Sequence, residues 1–215
     1  MSEAVLRVSE IFTSIQGESS RVGLPTTFVR LTGCPLRCRW CDTPYAFQGG
    51  TRQTVAEVVA EVAARGVRTV CVTGGEPLAQ PAVHRLLRAL ADAGFDVSLE
   101  TSGALSIADV DPRVAVVMDL KAPGSGEQEK NLWQNLGALK PTDEIKIVIA
   151  DRADYEWAKT VLTEHRLRER CAVLLSPVAN SLPPHLLAEW IVADRLPVRF
   201  QLQLHKVLWG EERGR

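Results

Sequence analysis

The sequence predicts an α/β fold, an incomplete TIM-like barrel of about six or seven mostly parallel strands. Three observations lead there. Strand-like and helix-like stretches alternate along the chain, as they do when parallel strands are joined by right-handed crossovers. Polar residues gather just after the strands, where such sheets hold their ligands. The chain has 215 residues, short of the ~250 that a full eightfold barrel usually takes.

The elements follow in order. TFVRLTG (27–33) reads as the first barrel strand, with Phe28, Val29 and Leu31 apolar. TVAEVVAEVAARG (54–66) reads as a helix. Thr54 and Glu57 form its capping box, Val55, Val58, Val59 and Val62 its apolar face, and Gly66 its stop. RTVCVTGGEP (68–77) is a buried strand ending in a glycine turn. PAVHRLLRALADAG (81–94) is the next helix, with Val83, Leu86, Leu87 and Leu90 inward and Gly94 as its stop. DVSLETSG (96–103) and VAVVMDLK (114–121) are strands, and KNLWQNLGALK (130–140) reads as helical. EIKIVIA (144–150) is a strand, ADYEWAKTVLTEHRL (153–167) a helix and AVLLSP (172–177) a strand. PPHLLAEWIVADRL (183–196) is a helix, with its prolines suited to the first turn. VRFQLQLHK (198–206) reads as a last strand that closes the barrel, with Gln203 and His205 on one face. No linker divides the chain. One domain, 1–215, is expected, with segment 1–26 and tail 206–215 packed on it.

Net charge is −1, which gives no reason to expect binding to nucleic acid or acidic lipid. No stretch approaches the ~20 apolar residues of a membrane span. Five cysteines, three of them between positions 34 and 41, argue against a disulfide framework and fit a reducing cytoplasm.

Those three, Cys34, Cys38 and Cys41, are spaced C-x3-C-x2-C on a loop after a strand. Soft thiolates so placed favour zinc or an iron–sulfur cluster. Structural zinc takes four ligands, and no fourth is evident. Cys71 lies inside a strand and Cys171 begins one, so both read as buried thiols. Three thiolates hold three irons of a [4Fe–4S] cluster and leave the fourth open to an outside ligand. A non-enzymatic zinc module is the rival reading, against which the missing thiolate counts.

The cysteine motif, with Trp40 before Cys41, and the GGEP turn (74–77) resemble the radical S-adenosylmethionine (SAM) superfamily. IFTSIQGESSRVGLPTTFVRLTGCPLRCRWCDTPYAF, TGGEP, ETSG, DLKAPGSG, EIKIVI and QLHK together resemble the 7-carboxy-7-deazaguanine synthase family. The resemblance runs from about Ile11 to Lys206. It implies a [4Fe–4S] cluster on Cys34, Cys38 and Cys41 and a cytoplasmic lyase of queuosine and deazapurine biosynthesis. The implied reaction converts 6-carboxy-5,6,7,8-tetrahydropterin to 7-carboxy-7-deazaguanine with loss of ammonia. Hydrogen is removed from the substrate by a radical made from SAM, and later returned. A radical SAM activase acting on a partner's glycine would share the cysteines and GGEP but lack SIQGE and CDT.

The resemblance also implies roles for single residues. Thr43 binds Mg²⁺, which bridges to the substrate carboxylate. Ile15, Gln16 and Gly17 hold the pterin ring, and Glu18 accepts from its guanidine-like edge. Arg30 suits the carboxylate, since a guanidinium meets it with two parallel hydrogen bonds. Thr73, Gln203 and His205 face the substrate. SAM is held by Gly75, Glu100 (ribose hydroxyls), Lys121 (methionine carboxylate), Asp42 with the backbone of Trp40 and Cys41 (adenine), and Ser176. His84, His165 and His185 fall in helices and read as surface residues. The tail VLWGEERGR leaves no direct role for the Arg215 carboxylate, and Trp209 or Glu211 takes that space. A homodimer and a flavodoxin-like reductant are the partners implied.

Overall fold

The strands of the computed structural model, which describes residues 3–214, join into one sheet. β1 (Val5–Ile15) runs antiparallel to β2 (Pro25–Leu31), and β3 (Thr51–Thr54) antiparallel to β1. From β2 the sheet continues in parallel through β4 (Thr69–Gly74), β5 (Asp96–Thr101), β6 (Ala115–Leu120), β7 (Glu144–Ile149), β8 (Ala172–Pro177) and β9 (Arg199–Phe200). β3 and β9 are its two ends and do not pair, so the barrel is open.

All seven parallel strands were expected, and β1 and β3 were not. Along β1, Leu6 and Val8 are buried, and the register then shifts between Val8 and Glu10. That bulge breaks the period-two pattern a strand is read from.

Alternation in the strands sorts the chain into a core and a site. Val70 and Val72, Val97 and Leu99, Val116 and Met118, Ile145 and Ile147, and Val173 and Leu175 belong to one apolar cluster. The residues between them, Thr73, Glu100, Asp119 and Lys146 among others, take the opposite face. Helices cover the apolar side. α1 (Val55–Ala64) begins with the expected capping box, in which Glu57 N donates to Thr54 Oγ1 and Thr54 N to the Glu57 carboxylate. Val58 and Val62 are its buried residues, and Gly66 takes the left-handed conformation that ends it. α2 (Val83–Asp92) buries Val83, Leu86, Leu87 and Leu90 fully. Each such leucine contributes about 1.5–3 kcal/mol. α3 (Arg152–Glu164) and α4 (Pro184–Ala193) complete the layer, with Pro184 in the first turn of α4 as expected.

Two expected elements differ. Residues 130–140 form no α-helix; 3-10 turns occupy Gln128–Lys130 and Trp133–Gly137. Asn131 and Asn135 explain this by bonding away from their own segment. Asn131 exchanges hydrogen bonds with both backbone groups of Lys121, and Asn135 donates to Gly103 O and Leu105 O. Such side-chain bonds compete with a helical ladder. The last strand is likewise only β9, and α5 (Leu204–Trp209) follows it. Gln201 still donates its N–H to Leu175 O at 2.9 Å, while its side-chain amide turns to both backbone groups of Ser19, and the strand goes no further. Gln203 is therefore the residue before a helix, and His205 is inside that helix.

Of the three histidines read as surface residues, only His185 is exposed. His84 is half-buried, and His165 stacks on Trp133 with ring centroids 4.4 Å apart. No helix among the described residues is long and apolar enough to cross a membrane.

Candidate active site

The polar face of the sheet encloses a cavity of about 480 Å³, in the size range of small-molecule sites. Its floor is the loop after β1, which turns into the open barrel. Gln16, Glu18 and Ser19 are buried there. Ser19 N donates to Gln201 Oε1 at 2.9 Å, and Ser19 O accepts from Gln201 Nε2 at 2.9 Å. Ser20 N and its hydroxyl donate to the Glu144 carboxylate. Gln16 Nε2 donates to Glu100 Oε1 at 3.3 Å, and the Thr73 hydroxyl to Glu100 Oε2 at 2.9 Å. Glu100 thus holds the loop while keeping lone pairs for a ligand's hydroxyls. Gly17 must be glycine for reasons of space: a Cβ there would lie 2.2 Å from His205 Nδ1 and 2.9 Å from His205 N. Leu204 N also donates to Gly17 O at 2.9 Å, which seats α5 against the loop.

A chain of charges crosses the cavity wall. Glu18 accepts from Lys146 Nζ at 2.5 Å and from Gln203 Nε2 at 2.7 Å. Burial alone would raise the Glu18 pKa; the Lys146 ammonium and the Gln203 amide overcome this and hold it at about 2. Lys146 lies 3.7 Å from Asp119 Oδ2, which pairs with Lys121 at 2.9 Å. Lys121, expected to meet the methionine carboxylate, is therefore already steadied by Asp119. Asp119 Oδ1 is buried and has no hydrogen-bond partner among the described residues.

The cysteine loop lies across the cavity from this chain. Cys34, Cys38 and Cys41 are free, half-buried and line the same space. Burial pushes the Cys34 and Cys38 thiols up, and Lys121 opposes it. The glycine turn braces this loop. A Cβ on Gly75 would lie 2.4 Å from Gly33 O and 2.8 Å from Cys34 Cβ, and Glu76 N donates to Gly33 O at 2.8 Å. Gly75, expected to admit SAM, is in close contact with the cysteine loop. Glu76 is buried and accepts from Leu78 N, Thr101 Oγ1 and both donors of Ser102. It clamps the GGEP and ETSG turns together. Among the described residues no three His, Cys, Asp or Glu side chains converge on a single-ion site. Three soft thiols on a cavity wall, within the field of the Lys121 ammonium, fit a [4Fe–4S] cluster.

Beyond Cys41, Trp40, Asp42 and Thr43 also line the cavity. Asp42 accepts from Gln203 Nε2 at 3.2 Å and lies 3.7 Å from Lys206. Thr43 precedes a 3-10 turn, Pro44–Phe47, but its side chain makes no capping hydrogen bond. Arg30 is pinned through Nε to Glu10 at 2.7 Å, and Tyr45 OH donates to the same Glu10 oxygen at 2.9 Å. Burial would lower the Arg30 pKa; Tyr45 and Glu10 raise it. The Arg30 guanidinium sits 6.0 Å from the Tyr45 ring centroid, and the Arg213 guanidinium 4.1 Å from it. Gly210 to Gly214 line this end of the cavity, Glu211 included, and Trp209 does not. Arg215 falls outside the described residues.

The structure brings every expected site residue to the cavity except Ser176. Ser176 pairs in register with Val148, and its buried hydroxyl has no partner among the described residues, but Val178 and Ala179 line the cavity in its place. Asp119, Lys146, Glu144, Gln201, Glu10 and Tyr45 were missed. Asp119 and Lys146 carried a signal, since each interrupts an apolar strand at an inward position.

A family model described as Radical SAM superfamily matches residues 28–119. A 7-carboxy-7-deazaguanine synthase of Chlorobaculum tepidum is 50% identical over 98% of this chain and 97% of the relative. One of Koribacter versatilis is 42% identical over 96% and 98%. Among solved structures, QueE from Escherichia coli superposes with TM-score 0.75 at 25% identity, covering 94% of this chain and 95% of that one. Streptococcus suis SuiB bound to S-adenosylmethionine shares the fold at TM-score 0.54 and 12% identity, over 79% of this chain and 44% of that one.

Proposed function

This chain belongs to the 7-carboxy-7-deazaguanine synthase family of radical SAM enzymes, and from that premise we propose that its cavity converts 6-carboxy-5,6,7,8-tetrahydropterin to 7-carboxy-7-deazaguanine with loss of ammonia. One observation carries the reading. Ile15 to Glu18 of the SIQGESS loop, with the anionic Glu18, and the three thiols line one cavity. A pterin's amino-pyrimidinone edge offers N–H donors, and a buried carboxylate held ionised is their strongest acceptor. Gln16, Thr73, Gln203 and His205 surround that edge, and Ile15 and Gly17 support the ring. Arg30 faces the carboxylate with its η-nitrogens, because Glu10 occupies Nε.

Cys34, Cys38 and Cys41 hold the cluster in this reading, and Gly75, Glu100, Lys121, Asp42 and the backbone of Trp40 and Cys41 hold SAM. When bound, the reduced cluster and SAM supply the radical that takes hydrogen from the substrate and returns it. The chain itself orients the reactants, excludes water and fixes charges before substrate arrives. Thr43 is proposed as the Mg²⁺ anchor. Its place in the cavity and its uncapped side chain support this, as does the preference of a hard cation for oxygen. The same reading includes a single domain over 1–215, a homodimer, a flavodoxin-like reductant and a cytoplasmic setting. One continuous sheet and one apolar cluster support the single domain.

Anaerobic turnover with the carboxytetrahydropterin, SAM and a reductant, followed by mass detection of the deazaguanine acid, tests the reaction. SAM cleavage without that product would overturn it. Thr43→Val, which keeps shape and removes the oxygen, tests the metal: turnover falls and no longer responds to magnesium. An unchanged magnesium response would move the ion elsewhere.

A further inference from the structure

We propose that Arg213, on the C-terminal tail, is a specificity residue that completes the recognition site for the substrate's carboxylate. The inference rests on the substrate reading above and starts from the charges that line the cavity. Arg30 is paired with Glu10, Lys121 with Asp119, Lys146 with Glu18, and Lys206 lies near Asp42. Arg213 lines the same cavity and has no carboxylate partner among the described residues. A cation left without an anion at a ligand cavity is where the ligand's own anion is best compensated.

Its position agrees with that role. The guanidinium lies over the Tyr45 ring, 4.1 Å from the centroid, a stacking geometry suited to arginine. Tyr45 is two residues from Thr43 and donates to Glu10, the carboxylate that pins Arg30. Arg30 and Arg213 both reach the Tyr45 ring, at 6.0 Å and 4.1 Å. An anion lodged beside Tyr45 and Thr43 meets a guanidinium fixed by the sheet and a second delivered by the tail. Glu10 offsets part of the charge on Arg30, so Arg213 adds to the attraction that Arg30 and the Mg²⁺ proposed at Thr43 exert on an anion in that corner. Glu211 and Glu212 immediately precede Arg213 in sequence and line the same rim. They limit the attraction to an anion in direct contact, and they disfavour a neutral ligand less than they screen a distant charged one.

Arg213 is exposed, so its effect is modest and salt-dependent. The test uses reconstituted holoenzyme and two ligands: the 6-carboxytetrahydropterin and the same ring with a hydroxymethyl group replacing the carboxylate. Arg213→Gln weakens binding of the carboxylated ligand about threefold or more at low salt. The loss falls on KM rather than kcat and shrinks as salt is raised. Binding of the hydroxymethyl ligand and of SAM stays the same, and Arg213→Lys is intermediate. Equal loss for both pterins, or no loss at low salt, would overturn the proposal. If the unaltered enzyme makes no deazaguanine acid, the substrate reading has failed; if it makes product while Arg213→Gln discriminates as before, only this inference has failed.

Discussion

Replacing Lys146 by methionine removes one ammonium from the cavity wall and leaves volume and length nearly intact. Glu18 then stands buried without its counterion. Its pKa is lowered from the ordinary 4.5 to about 2 against a burial that would raise it. Breaking a buried pair by deleting one partner costs about 3–5 kcal/mol. Whole domains are stable by only about 5–15 kcal/mol, and urea unfolding of the metal-free chain will show the loss plainly. Glu18→Gln and the double variant close a thermodynamic cycle, with a coupling of about 2–3 kcal/mol expected. The pH dependence follows from the sign. A carboxylate with a lowered folded pKa contributes stability that is complete above 4.5 and lost as pH falls towards 2. Lys146→Met abolishes that acid limb, because burial of the unpaired Glu18 favours its protonated form. Coupling near zero, or an acid limb identical in the variant, would refute the argument that Lys146 keeps Glu18 ionised.

Three further outcomes are expected. Cys34→Ala, Cys38→Ala and Cys41→Ala each abolish iron retention after anaerobic reconstitution, while Cys71→Ala, in a fully buried position, keeps the iron and loses about 1 kcal/mol of stability; iron analysis and thermal unfolding decide. Gly75→Ala places a methyl 2.4 Å from Gly33 O, so it lowers both iron content and thermal midpoint by overpacking, at about 1–3 kcal/mol; a variant that loads iron normally would show that the turn does not brace the cysteine loop. Gly17→Ala drives a methyl into His205 and raises KM for the pterin, while SAM binding measured by titration stays unchanged.

How much could be read from the sequence depends on how local each interaction is. The strands from β2 to β8, the helices α1 to α4, the Thr54–Glu57 box and the stops at Gly66 and Gly94 are set within a few residues and appeared as expected. The thiols and the glycine turn were legible because their spacing is itself the chemistry. What stayed hidden was set by distant partners. Lys146 stands out as a charge inside an apolar strand, but its partner Glu18, 128 positions away, does not. Asn131 and Asn135 read as helical until Lys121 and Gly103 claim their side chains. Gln201 reads as one more strand residue, and nothing near it in sequence shows that its side chain clasps Ser19. Arg30 was expected to be free for a ligand, and the Glu10 that restrains it sits on a strand whose pattern is broken by a bulge.

The floor of the cavity has a consequence for the order in which the molecule is made. Its ties join residues from opposite ends of synthesis: Ser19 to Gln201 across 182 positions, and Glu18 to Gln203 across 185. Contacts of such separation carry the largest loop-closure entropy and form late. The parallel strands and their helices have partners close in sequence and pack without waiting for the chain's end. The loop after β1 meets Glu100, Glu144 and Lys146 earlier, but its last two anchors, Gln201 and Gln203, emerge almost at the end. A nascent chain therefore holds a folded shell around an unfinished floor. The cysteine loop, braced by the glycine turn and tied through Arg37 and Arg39 to Glu127 and Ser125, has all its partners well before Gln201 closes the floor.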